Sequence, residues 1–373
     1  MEAAENDRSV SRALTLVTPT QPAHAHLPIG LFGSVMGVTG LSVAWQFAHV
    51  RYGAPEAVAL SIAVIAVVAF VLVVTGYTLK ILTAFPAVRE EFRHPIAGNL
   101  FGTLPISLLQ LPTVIEPFAH RLAQFVWLAG AASMSFFAWF AIGRWMTNRK
   151  QVAHASPAWM IPVAGVLQMP LALPTLGLPQ LHGLMVAALA IGMFFTVPFF
   201  TLILSRLLVG PSVPPTLKPS LLILVAPFAV GYSTYTVTVG QTDLFAEALY
   251  VLTLFMLALL LGQLRNLHVC CPFRVSWWSV SFPLASSSVA AIRFAAAKPD
   301  LVTDTIAMVL LAIATMVIAG LLVVTLVALA RGDFAGFDIR SEEEHQSISD
   351  AKAAKTDVER PSPCVRRSAR QAS

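Results

Sequence analysis

Charge is scarce in this sequence. Only 12% of its 373 residues are Asp, Glu, Lys or Arg, about half the ~25% of a soluble protein, while 57% are apolar. So many apolar side chains cannot hide in a water-soluble core without leaving large exposed patches, which excludes most soluble folds. Cysteine is scarce too. Cys270, Cys271 and Cys364 have neither the number nor the spacing of a disulfide framework or a zinc site, so neither metal nor cofactor is expected. Enzyme signatures are missing: the chain contains no GxSxG, no phosphate loop, no HExxH and no CxxC, and no catalysis is expected. Acids are missing from mid-span positions as well, since Glu247, Asp300 and Asp304 lie near span ends. A proton relay places such groups at mid-depth, so their absence favours a passive conduit over a pump.

What the sequence has is apolar runs. Ten stretches are long enough to cross a ~30 Å hydrocarbon layer: Leu27 to His49, Ala57 to Thr83, His94 to Pro112, Phe118 to Arg144, Ser156 to Pro174, His182 to Val209, Lys218 to Thr236, Leu244 to Leu267, Val275 to Ala297, and Leu301 to Arg331. Odd and even stretches alternate with a period of roughly 60 residues, an internal repeat. Each repeat holds two spans, so all repeats start on the same side and are related by rotation about the membrane normal. An all-α membrane protein of ten transmembrane helices follows, five like-oriented helical hairpins around a central pore.

Proline divides the two classes of span. The odd stretches hold eleven: Pro28; Pro95, Pro105 and Pro112; Pro157, Pro162, Pro170 and Pro174; Pro219 and Pro227; and Pro283. The even stretches hold only Pro198. Proline removes a backbone donor, and the freed carbonyls are tolerable in a membrane only against protein or water. The odd helices are therefore expected inside and the even ones against lipid. Gly30, Gly33, Gly37 and Gly40 form a helical stripe in the first span, as do Gly98 and Gly102 in the third; small residues of this kind let helices pack closely.

The basic residues set orientation. Loops after even spans carry ten Lys and Arg, among them Lys80, Arg144 and Arg206, and loops after odd spans carry four: Arg51, Arg121, Arg293 and Lys298. By the positive-inside rule both termini are expected to be cytoplasmic; the expected location is the inner (plasma) membrane of the cell. Residues 1–26 are expected to be a flexible cytoplasmic tail, 27–331 the membrane domain, and 332–373 a disordered cytoplasmic tail. The net charge of +5 lies in short loops and tails rather than on one face, so nucleic acid is not an expected partner. Bent inner helices whose broken turns expose N–H groups would bind anions weakly. Arg121, Arg293 and Lys298 would gather anions at the outer mouth, each having snorkelling toward the interface as its plain alternative.

Five segments carry a resemblance: LPIGLFGSVMGVTGLSVAWQFA (27–48), RHPIAGNLFGTLPIS (93–107), SPAWMIPVAGVLQMPLALP (156–174), LKPSLLILVAPFAVGYSTY (217–235) and WWSVSFPLASSSVAAIRFA (277–295). In order, they resemble the first, third, fifth, seventh and ninth helices of the tellurite-resistance/dicarboxylate transporter family. That family includes bacterial tellurite-resistance proteins, the plant guard-cell slow anion channel, and fungal malate and sulfite exporters. The resemblance implies ten helices in five hairpins around a pore, a homotrimer with one pore per subunit, and a passive channel or exporter for chloride, nitrate, sulfite, C4-dicarboxylates or tellurite-related oxyanions. It implies that Phe282 plugs the pore and that Pro105, Pro162, Pro227 and Pro283 bend the inner helices, while Gly33 and Gly37 keep the lumen wide. Two alternatives stay open: a proton-coupled C4-dicarboxylate or malate carrier of the same fold, and a non-conducting membrane scaffold in tellurite resistance.

Overall fold

A computed structural model describes residues 27–147, 156–209, 215–264 and 274–331. Both tails, the three cysteines and the loop cations Arg149, Lys150 and Arg265 lie outside them. The described chain is helical throughout, in ten membrane-type segments: α1 (Ile29–Tyr52), α2 (Glu56–Thr83), α3 (Ala97–Ile115), α4 (His120–Thr147), α5 (Pro157–Ala172), α6 (Pro179–Val209), α7 (Lys218–Val239), α8 (Leu244–Gln263), α9 (Val275–Ala297) and α10 (Leu301–Ala330). Nine of these, among the described residues, are long and apolar enough to cross a bilayer. The exception is α5, which is shorter than a full span. Pro170 and Pro174 tighten and then end it, as proline does where a helix needs its next donor.

Odd helices touch in the order α1, α3, α5, α7, α9 and back to α1. The contacts close a ring. Each even helix packs on the odd helix before it. Most also reach the next odd helix: α4 touches α5, α6 touches α7, α8 touches α9, and α10 touches α1. α2 meets α3 through Val67 and Phe70, which pack with Leu111 and Val114.

Burial follows the same division. In the most apolar stretch of each long odd helix, 61–78% of residues are buried, against 22–39% in the even ones. Large apolar side chains stand exposed on every even helix, among them Leu72, Phe125, Phe194, Phe255 and Met316, but on odd helices only at Val50 and Val239, near their ends. Such an apolar exterior suits lipid and would be an aggregation surface in water. Nine of the eleven odd-span prolines are buried, the exceptions being Pro95 and Pro174 at helix ends; Pro198, on α6, is exposed.

The prolines occupy one register. Pro105 is the third residue of the α-helical stretch Thr103–Gln110, Pro162 the third of Met160–Gln168, Pro227 the second of Ala226–Val239 and Pro283 the third of Ser281–Ala297. In the first turn proline has no donor to forfeit. In α5, α7 and α9 the chain just before is 3-10 helix: Pro157–Trp159, Pro215–Val225 and Val275–Val280. The junction residues Trp159, Val225 and Val280 keep right-handed helical angles. This corrects one expectation: these helices tighten and run on rather than break, so no free row of N–H donors opens at their junctions.

Candidate functional site: the axial face of α9

α9 is held on three sides. Toward α1, a Cβ on Gly37 would overlap the Ser281 side chain, and one on Gly40 would stand 2.9 Å from Ala285 Cβ. Toward α10, Trp278 Nε1 donates to Thr325 Oγ1 at 3.0 Å and Ser288 Oγ to the Leu310 carbonyl at 3.0 Å. Toward α7 and α8, Phe294 stacks on Tyr250 with ring centroids 4.0 Å apart and meets Tyr232 edge-on at 6.1 Å. The fourth side is the one left without these contacts. On that side Phe282 is 7% and Ser286 9% exposed, and Val289 and Arg293 are partly exposed, whereas Leu284, Ala285, Ser288 and Ile292 are at most 1% exposed; Phe294, toward α7 and α8, is 9% exposed, and the turns Val275–Val280 are partly exposed except at Trp278. From Phe282 to Arg293, steps of four, three and four residues make one helical stripe.

Phe282 and Arg293 bound this stripe. Eleven residues amount to about 20° beyond three full turns and roughly 16 Å of rise. Phe282 is the eighth residue of α9 and directly precedes Pro283, so the ring sits where 3-10 helix gives way to α-helix. Ser286 and Ser287 hydroxyls both donate to the Pro283 carbonyl, at 3.1 and 2.7 Å. The Arg293 guanidinium lies 5.3 Å from the Phe47 ring centroid and makes no ion pair among the described residues.

The other expected residues fall elsewhere. Lys298 is ion-paired to Glu247, so its charge is matched and it does not act as a free anion collector. Arg121 is exposed in the first turn of α4, an outer helix, which puts it at the periphery rather than over the axis. Gly37 is buried against Ser281 and brings α1 and α9 together instead of widening a lumen. Gly33 has ordinary clearance, with Trp278 Cβ 3.7 Å from its would-be Cβ, and is partly exposed. Pro105, Pro162, Pro227 and Pro283 are all buried in the inner ring.

Two polar clusters escaped sequence reasoning. At one end, Lys80 Nζ bonds Glu91 Oε2 at 2.8 Å and the Leu27 carbonyl at 2.7 Å, while Glu91 accepts from Ile29 N at 2.6 Å and Tyr77 Oη at 3.1 Å. This ties α2 and the short helix Phe85–Arg93 to the start of α1. At the other end, Arg51 pairs with Asp304 at 3.3 Å and Tyr52 Oη donates to Asp304 at 2.8 Å. Opposite charges spaced 11 and 253 residues apart carry no local signal.

Residues 26–326 match the family described as voltage-dependent anion channel. The chain is 28% identical over 315 residues to the S-type anion channel SLAH3 of Arabidopsis thaliana, covering 80% of this chain and 48% of that protein. It is 24% identical over 320 residues to the guard cell S-type anion channel SLAC1 of the same plant, covering 82% and 56%. To the tellurite resistance protein TehA homolog of Haemophilus influenzae it is 24% identical over 274 residues, covering 72% and 81%. The aligned region thus spans about half the length of these two plant relatives.

Proposed function

The chain belongs to the voltage-dependent anion channel family, and on that premise we propose that it is a passive channel for small anions, closed by Phe282 and supplied from one mouth by Arg293. The observation that carries this is the stripe Phe282, Ser286, Val289 and Arg293 on one face of α9, with an aromatic ring at one end and, at the other, a guanidinium without an ion pair among the described residues. An aromatic ring in a narrow, dry passage blocks an ion because the ion cannot keep its water there and gains no compensating charge. Swinging the ring aside restores a wet path. Arg293 raises the local concentration of anions without a carboxylate to cancel it. No acid lies on the stripe to couple flux to protons.

The permeant class is small anions: chloride, nitrate, sulfite, C4-dicarboxylates or tellurite-related oxyanions. A passage lined by backbone, small residues and one Phe holds no code for one of them. The names of the plant relatives support anion conduction, and that of the bacterial relative supports the oxyanion connection. The excess of Lys and Arg in loops after even helices supports cytoplasmic termini in the plasma membrane; a homotrimer with one pore per subunit completes the proposal.

The test is Phe282→Ala in liposomes or oocytes. Constitutive anion current, absent from the parent chain, is the expected result. Negligible current from a correctly inserted variant overturns the gate.

A further inference from the structure

Between α3 and α4 a narrow cleft opens at the end of the membrane domain where α2 and α4 terminate. It is lined by Phe92, His94, Asn99, Phe137, Phe140 and Arg144, among others, and is shallow and open to the outside. One wall is aromatic. Phe92 stacks on Phe140 at 5.6 Å, Phe140 on Phe136 at 6.4 Å, and Phe136 adjoins Trp139 at 6.1 Å. Phe136 and Trp139 are 64% and 72% exposed on the lipid-facing side of α4, so the track leads out of the cleft onto the surface that meets acyl chains. The other wall is polar. His94 Nδ1 accepts from the amides of Ile96 and Ala97 at 3.3 and 3.1 Å and shapes the start of α3. Asn99, 6% exposed, donates to the Pro95 carbonyl at 3.0 Å and keeps its side-chain oxygen and second N–H available. Arg144, three residues before the end of α4, makes no ion pair or hydrogen bond among the described residues.

We propose that this cleft binds an anionic phospholipid, its phosphate on the Arg144 guanidinium, its headgroup against Asn99 and one acyl chain along Phe140, Phe136 and Trp139. A guanidinium presents a planar fork that matches phosphate oxygens. An unpaired cation between two membrane helices at the depth of the headgroups is the feature that recruits acidic lipid. A free phosphate ion would satisfy Arg144 but leave the aromatic track without an occupant, which favours the lipid. The bound molecule would brace inner helix α3 against outer helix α4, linking bilayer composition to the ring.

The experiment compares phosphatidylglycerol, phosphatidylcholine and inorganic phosphate on the full chain in neutral detergent, by native mass spectrometry and by melting temperature. Phosphatidylglycerol is expected to bind and to raise the melting temperature more than phosphatidylcholine, with inorganic phosphate giving little. Arg144→Gln should weaken it by about tenfold, as loss of a charge-assisted hydrogen bond implies. Arg144→Lys should fall between, and Trp139→Ala should weaken phosphatidylglycerol and whatever phosphatidylcholine binds, while leaving inorganic phosphate unchanged. Arg331→Gln, at an exposed cation at the same end, should change nothing. Equal loss in Arg331→Gln and Arg144→Gln, or no preference over phosphatidylcholine, overturns the site. Inorganic phosphate reproducing the whole shift overturns the lipid and assigns the cleft to a soluble anion. Should Arg144→Gln not insert, the lipid comparison on the parent chain and Arg144→Lys still decide.

Discussion

Arg293 stands on the same face of α9 as Phe282, about three turns along the helix, with the Phe47 ring 5.3 Å from its guanidinium. In the proposed passage, charge and plug would therefore act in series. Removing each should give a different defect.

In the Phe282→Ala background, Arg293→Gln should reduce anion conductance roughly tenfold at low salt and less at high salt, because a focusing charge acts through local concentration and is screened. Lys298→Gln should leave conductance near its starting value, since Glu247 already neutralises that ammonium. Current recordings across a chloride series check both. Equal losses from the two variants would remove Arg293 from the passage.

Gly37→Ala should destabilise the folded chain by about 1–3 kcal/mol, the cost of overpacking a tight contact, because its methyl group has nowhere to go but into Ser281. Adding Ser281→Gly should restore most of the loss, whereas Gly33→Ala should change stability by less than about 0.5 kcal/mol. Melting in detergent measures all three.

Lys80 and Glu91 are only 5% and 7% exposed. Lys80→Met strands a buried carboxylate and should cost about 3–5 kcal/mol, while Lys80→Met with Glu91→Leu should recover much of it. A double-mutant cycle on unfolding gives the coupling directly. A double variant as unstable as the single would assign the loss to packing.

Asp243 lies in the turn before α8. The Tyr235 hydroxyl at 2.6 Å and the Ala246 amide at 3.0 Å both donate to it, and the Tyr235 bond above all holds its carboxyl below the usual range. A lowered folded value means that this contribution is present above the ordinary Asp value of ~3.9 and is lost as pH falls through the lowered one. The melting-temperature gap between the parent chain and Asp243→Asn should persist from pH 7 to 5 and shrink below. Tyr235→Phe should move the carboxyl back up, read by carbon NMR.

Much of this was legible in one dimension. Repeat period, apolar length and proline placement are local properties, and they identified the helices, their pairing and which set is inner. Proline's preference for the first turn then explains why Pro105, Pro162, Pro227 and Pro283 recur at the same point of their α-helical stretches. The candidate site was legible in part. Phe282 and Arg293 were singled out, yet Arg121 and Lys298 looked equivalent to Arg293, because a sequence shows a charge and not what stands beside it.

By itself, the sequence determined a membrane-embedded all-helical chain with its proline-bearing helices innermost, since burying polar backbone and exposing apolar side chains to lipid depend on each segment's own composition. Only the tertiary structure decided which cations are spent. Pairing Lys298 with Glu247, or Lys80 with Glu91, depends on helices meeting at one height, as does leaving Arg293 with an aromatic ring and no carboxylate. Coulomb and contact energies fall off with distance in space, and separation along the chain does not report that distance.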